Sequence, residues 1–147
     1  MFTREVMTSK VSYLTPDATL NTAAKLMRDR NCGFLPIGGG RDNALMGVIT
    51  DRDIAIRAVA DGLSSTDTRV ADIMSDHVSY CYADDPIEVT AKRMRAASVY
   101  RLIVLKSPEN KRLCGVVSLG DILRHNRENV ATAVAHGIQT AVHPQVA

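Results

Sequence analysis

The chain has 147 residues, 46% hydrophobic and 23% charged, which suits a soluble globular protein of one ordinary domain or two very small ones. Its 18 basic and 16 acidic residues leave a formal net charge of +2, too even for a nucleic-acid or membrane-surface binder, and 4% aromatics without Trp give little to stack bases on. No stretch approaches the roughly 20 apolar residues that cross a bilayer, Met1–Met7 has no signal-peptide pattern, and Cys32, Cys81 and Cys114 lack CxxC spacing, which reads as small buried hydrophobes in a reducing cytoplasm.

The first expected element is a short strand at Val11-Ser12-Tyr13-Leu14, closed by a turn at Pro16-Asp17. Thr19 is placed to cap a helix whose apolar face carries Leu20, Ala23, Ala24 and Met27 at i, i+3, i+4 and i+7. Two apolar runs follow, Phe34–Ile37 and Leu45–Ile49, around a loop signal at Gly38-Gly39-Gly40-Arg41-Asp42-Asn43. After Gly47-Val48-Ile49-Thr50-Asp51-Arg52-Asp53 a second helix is expected, with Ile54, Ala55, Ala58 and Val59 on one face and Gly62 as its stop.

The chain then repeats itself. Met7 aligns with Met74 at an offset of 74 − 7 = 67, and the same offset superposes Val11-Ser12-Tyr13 on Val78-Ser79-Tyr80, Met27-Arg28 on Met94-Arg95 and Leu35 on Leu102. One residue is inserted before Gly115-Val116, which matches Gly47-Val48 at 115 − 47 = 68, as Asp121-Ile122 matches Asp53-Ile54. In the second copy Asp85 reads as a helix cap with Pro86 first and Glu88 third in the helix, and Ile87, Ala91 and Met94 form its stripe. Strands are expected at Leu102–Leu105 and Cys114–Val117. The organisation is therefore one repeat over 1–66, a second over 67–128 and a tail over 129–147, where Val130, Val134 and Ile138 have helical spacing. Each copy is strand–helix–strand–strand–helix, an α/β (α+β type) unit too small to be comfortably stable alone.

The informative residues close each repeat: Gly47-Val48-Ile49-Thr50-Asp51-Arg52-Asp53 and Gly115-Val116-Val117-Ser118-Leu119-Gly120-Asp121. Each run ends a strand and opens a helix, where unpaired N–H groups and partial positive charge attract phosphate. Thr50 or Ser118 can cap the helix or bind a ligand oxygen, Asp53 or Asp121 can accept from a ribose diol, and the glycine allows close approach. For one such site alone a plain capping box is the better explanation; its duplication reverses the balance in favour of the ligand. His77, His125, His136 and His143 have no metal-ligand spacing. Arg52 and Arg57 could reach phosphate or belong to a solvated face. No catalytic motif is present.

Two such repeats, each closing on Gly-hydrophobic-x-Thr/Ser-x-x-Asp, resemble the CBS domain family over residues 4–126, most closely its stand-alone bacterial members. The resemblance implies tandem CBS repeats packed as a pseudo-twofold disc and paired as a homodimer. It implies a non-catalytic regulatory module in signal transduction that binds AMP, ATP or NAD in the cleft between its repeats and acts on an unidentified regulated protein. By resemblance Asp53 and Asp121 hold ribose hydroxyls, Thr50 and Ser118 contact ribose or phosphate, and Val11, Ser12, Tyr13, Val78, Ser79 and Tyr80 border the adenine. The same resemblance implies that Arg101, which begins Arg101-Leu102-Ile103-Val104, reaches phosphate, a role its counterpart Phe34 cannot share. The alternative is a ligand-free structural or protein-interaction module of the same fold.

Overall fold

The computed structural model describes residues 1–39, 44–125 and 134–136. The chain forms two compact units, and they are not its contiguous halves: Met1–Val11 joins the residues from Ser79 onward, while Ser12–Val78 forms the other.

In the Ser12–Val78 unit, helix α1 spans Leu20–Arg30, with Thr19 Oγ1 accepting the Thr22 N–H at 3.2 Å, and Asn31 ends it in the left-handed region at φ 49°. Leu20, Ala23 and Met27 are buried as the spacing requires, but Ala24 is exposed and Leu26 packs in its place. Strand β1 (Phe34–Gly39) pairs antiparallel with β2 (Ala44–Thr50). Gly38 and Gly39 thus belong to a strand rather than to the expected loop; residues 40–43 lie outside those described. Helix α2 begins at Asp51–Asp53 and continues as a π-helix over Ile54–Val59. Of its expected apolar face only Ala58 is buried, Ile54 is half-buried, and Ala55 and Val59 are exposed. Gly62 follows at φ 70°, as a stop should.

The other unit holds strand β3 (Tyr80–Tyr82), helix α3 (Ile87–Ala97), strands β4 (Arg101–Leu105) and β5 (Leu113–Ser118), and helix α4 (Leu119–Arg124). β3 runs parallel to β4, and β4 antiparallel to β5. Asp85 does not cap α3. Pro86 occupies the cap position, and the Asp85 carboxylate turns back to accept the Tyr82 N–H at 2.9 Å. Ile87, Ala91 and Met94 form the buried stripe, with Thr90 beside Thr3 at 2.6 Å between hydroxyl oxygens. Burial pushes the Cys81 thiol up to about 11, which keeps it a protonated core residue. Cys32 and Cys114 are half-buried. Of the helical spacing read in the tail, Val134 is buried and lies in the helical stretch 134–136, while Val130 and Ile138 lie outside the described residues. No described helix is long and apolar enough to cross a membrane.

The copies differ most in their first strand. In the second copy the Ile103 N–H donates to Ser79 O at 3.3 Å and the Ala83 N–H to Leu105 O at 2.9 Å, so a strand forms. Their first-copy counterparts are Pro36 (103 − 67 = 36) and Pro16 (83 − 67 = 16), which have no N–H to give. The strand expected at Val11–Leu14 therefore shrinks to one bridge, in which the Leu14 N–H donates to Pro36 O at 3.0 Å and the Gly38 N–H to Leu14 O at 2.9 Å.

The unequal division of the chain follows from its leader segments. Thr8 bridges Val116 on β5, and Ser75 bridges Val48 on β2, so each leader pairs with the sheet of the copy it does not precede in sequence. Gly115 and Gly47 permit this: a Cβ at Gly115 would lie 2.5 Å from Thr8 O, and one at Gly47 would lie 2.6 Å from Ser75 O. The room expected to admit a ligand at these glycines is filled by the protein's own backbone. Gly47→Ala and Gly115→Ala should each lower stability by about 1–3 kcal/mol in urea unfolding, because backbone must move to admit the methyl group. An unchanged midpoint would show that the leader moves without cost.

Candidate functional site

The two strand-to-helix junctions share one construction. β2 ends at Thr50 in extended conformation (φ −117°, ψ 161°), and β5 ends at Ser118 in nearly the same one (φ −114°, ψ 162°). Thr50 Oγ1 accepts the Asp53 N–H at 3.0 Å, and Asp53 Oδ2 accepts the Thr50 N–H at 2.9 Å. Ser118 Oγ accepts the Asp121 N–H at 3.1 Å, while Asp121 Oδ2 accepts the Ser118 N–H at 2.7 Å and its hydroxyl at 2.8 Å. These are reciprocal capping boxes, and they fix the carboxylates that the sequence singles out. A second bond clamps each turn: the Asp51 N–H donates to Gly33 O at 3.0 Å, and the Leu119 N–H to Tyr100 O at 2.9 Å.

Across the sheet, Arg101 lies opposite Ser118 in the β4–β5 register, and Phe34 lies opposite Thr50 in β1–β2. Paired residues share a face about 5 Å apart, within reach of a long side chain. Arg101 is exposed and Phe34 half-buried, so one junction has a solvent-facing guanidinium beside its cap where the other has a ring. Tyr80 lies opposite Ile103, and Ser79 O accepts the Ile103 N–H at 3.3 Å, which sets Ser79 toward the Arg101 end of that sheet. Leu14 lies opposite Ile37, so Tyr13 and Ser12 precede it toward the Phe34 end; Tyr13 is 47% exposed. Val11 and Val78 sit where the chain changes between units, and both are half-buried.

Among the other candidates, Arg57 donates to Ile73 O at 3.0 Å and Arg52 is exposed. The His77 side chain is almost fully exposed, His125 contacts Asp121 O at 2.9 Å, and His143 lies outside the described residues. Among the described residues no three His, Cys, Asp or Glu side chains are grouped to hold a metal ion. The residue that sequence reasoning missed is Arg124, whose guanidinium pairs with Asp121 Oδ1; the signal was the Asp121-Ile122-Leu123-Arg124 spacing, which sets the two on one helix face.

A profile described as CBS domain matches residues 4–59 and 70–128. Hypoxic response protein 1 of Mycobacterium tuberculosis is 34% identical over 126 residues, covering 86% of this chain and 85% of that protein. A crystal structure of Hypoxic Response Protein I with two coordinated zinc ions superposes at a TM-score of 0.75 and 33% identity, covering 85% of this chain and 98% of that one. YhcV of Bacillus subtilis, a CBS domain-containing protein, is 30% identical over 132 residues, 90% of each chain. The CBS domain pair of MJ0100, solved with 5′-methylthioadenosine and S-adenosyl-L-methionine, shares the fold at a TM-score of 0.74 and 23% identity, covering 88% of this chain and 98% of that one.

Because the caps hold the junctions, Thr50→Ala and Ser118→Ala should each cost about 0.5–2 kcal/mol in urea unfolding. Ser118→Ala should cost the more, since its hydroxyl both accepts from and donates to Asp121. Equal and negligible losses would show that the junctions are held by their other bonds.

Proposed function

The chain belongs to the CBS domain family, whose members are in general regulatory, and from that premise we propose that it is a non-catalytic module binding an adenosine nucleotide, AMP, ATP or NAD, at its Thr50–Asp53 and Ser118–Asp121 junctions. One observation carries the reading: the same hydroxyl-and-carboxylate junction stands at the end of a strand in both repeats, with each carboxylate fixed by backbone N–H. The cap engages Oδ2 of each acid, which leaves Oδ1 as the acceptor for a ribose diol, at Asp121 in competition with Arg124. The first-turn N–H groups of Asp51, Arg52 and Asp53, and those of Leu119 and Asp121, are already bonded within the chain, so a phosphate falls to a side chain. Support also comes from MJ0100, a protein of the same fold solved with two adenosine compounds. Arg101 is the phosphate ligand of this reading, Ser12, Tyr13, Ser79 and Tyr80 border the base, and Val11 and Val78 complete that border. A cytoplasmic setting belongs to it too, since Cys32, Cys81 and Cys114 are all free thiols.

A ligand bound only to the folded chain raises its stability, by about 2.7 kcal/mol at a hundredfold over Kd. AMP should therefore raise the melting temperature and be recovered unchanged. Arg101→Ala should weaken AMP binding at one site by roughly ten- to a hundredfold, the worth of a charge-assisted hydrogen bond, and barely affect adenosine. Asp53→Asn and Asp121→Asn should each remove one binding step. If no adenosine compound at millimolar concentration shifts the melting temperature, the chain is a ligand-free interaction module.

The reading includes a homodimer. Ile56 and Val59 of α2 are 49% and 69% exposed, and pairing two copies through this helix would bury them. Light scattering at micromolar concentration should give twice the 16.0 kDa chain mass, falling toward 16.0 kDa in Ile56→Glu/Val59→Glu. A 16.0 kDa particle for the wild type would contradict the dimer.

A further inference from the structure

The junction at Asp121 carries a charge pair that the junction at Asp53 lacks. Arg124 lies one turn along α4 from Asp121, and its Nη2 pairs with Asp121 Oδ1. Because Oδ2 already accepts from Ser118, both oxygens of Asp121 are engaged by the chain's own donors. In the other repeat the position of Arg124 is held by Ile56 (124 − 68 = 56), which has no donor, and among the described residues no salt bridge reaches Asp53.

The two partners differ in freedom. The Asp121 side chain is 10% exposed and pinned by its cap, whereas the Arg124 side chain is 69% exposed. A long, mostly solvated side chain leaves such a pair at little cost, while the acid stays in place. We propose that Arg124 is a latch on the Asp121 junction: a ribose diol reaches this carboxylate only by displacing the guanidinium, so neutral adenosine fills the Asp53 junction first. The inference rests on the reading of Asp53 and Asp121 as ribose acceptors. It gives the repeats an order of occupancy that their shared motif does not contain. Arg101 and Arg124 then act oppositely on one site, Arg101 favouring a phosphate and Arg124 opposing the diol, so neutral adenosine isolates the latch.

The test is calorimetric titration of adenosine into Asp53→Asn, which keeps only the Asp121 site, and into Asp53→Asn/Arg124→Ala. Removing the latch should tighten adenosine roughly two- to fivefold, the range of a partly exposed ion pair. Arg124→Lys should fall between the two. In Asp121→Asn, which keeps only the Asp53 site, adding Arg124→Ala should change nothing. Raising NaCl to about 0.5 M should tighten adenosine in Asp53→Asn and not in Asp53→Asn/Arg124→Ala, because the ligand is uncharged and salt acts on the latch. Without ligand, Arg124→Ala should shift the Asp121 side-chain carboxyl ¹³C resonance and leave that of Asp53 in place. Equal adenosine affinities with and without Arg124, or an unmoved Asp121 resonance, would overturn the latch and leave the ribose reading standing. Failure of any of these proteins and of the wild type to bind adenosine would remove the ribose reading itself, and the latch with it.

Discussion

Where β2 and β5 each run into a helix, the strand ends on a hydroxyl residue that bonds the third residue of the helix and is bonded back by its carboxylate. The reciprocal bond answers two needs. The first turn of a helix leaves N–H groups unpaired, and the change from extended to helical backbone must be held at one residue. Thr50 and Ser118 supply both, and the acids that complete the boxes are thereby set in one orientation. A carboxylate fixed by backbone bonds is a better ligand than a free one, because its side-chain entropy is already lost before anything binds. Structure and proposed function therefore use the same four side chains.

The two units depend on a second constraint, the exchange of leader segments. Thr8 and Ser75 reach their sheets only because residues 115 and 47 lack a side chain. The glycine that opens the family motif is thus explained by strand pairing rather than by ligand access. The three-residue 3-10 turns Thr3–Glu5 and Val70–Asp72 occupy equivalent places in the two leaders (70 − 3 = 67), the first bringing Val6 and the second Val70 and Ile73 into a core. A unit of this size gains from every such residue, since its surface is large for its volume.

Much of this was legible in the sequence. The offsets of 67 and 68, the Thr19 cap, the four main strands and the Thr/Ser-x-x-Asp junctions could be read from spacing alone. Other features needed the third dimension. Asp85-Pro86 satisfies the rules for a helix start, yet the Asp85 carboxylate finds the Tyr82 N–H behind it, a partner that exists only once β3 has turned. The weakness of the first strand was present in Pro16 and Pro36, but which N–H groups they remove depends on the register. Ala55 and Val59 have the spacing of a core face, but α2 continues as a π-helix, whose wider turn abandons the 3.6-residue period, and both stay exposed. Leader exchange has no local sequence signal, because it pairs segments distant along the chain.

From the duplicated junction and the family relationship we propose, as the central claim, that this protein holds an adenosine compound by Asp53 and Asp121. Native mass spectrometry of freshly purified protein, with AMP added to about 1 mM, tests it most directly. The account predicts adducts of the mass of AMP, or of an adenosine compound retained from the cell, that disappear in Asp53→Asn/Asp121→Asn while the folded charge-state distribution is kept. A bare chain mass under those conditions, or an adduct that survives in the double variant, would contradict it.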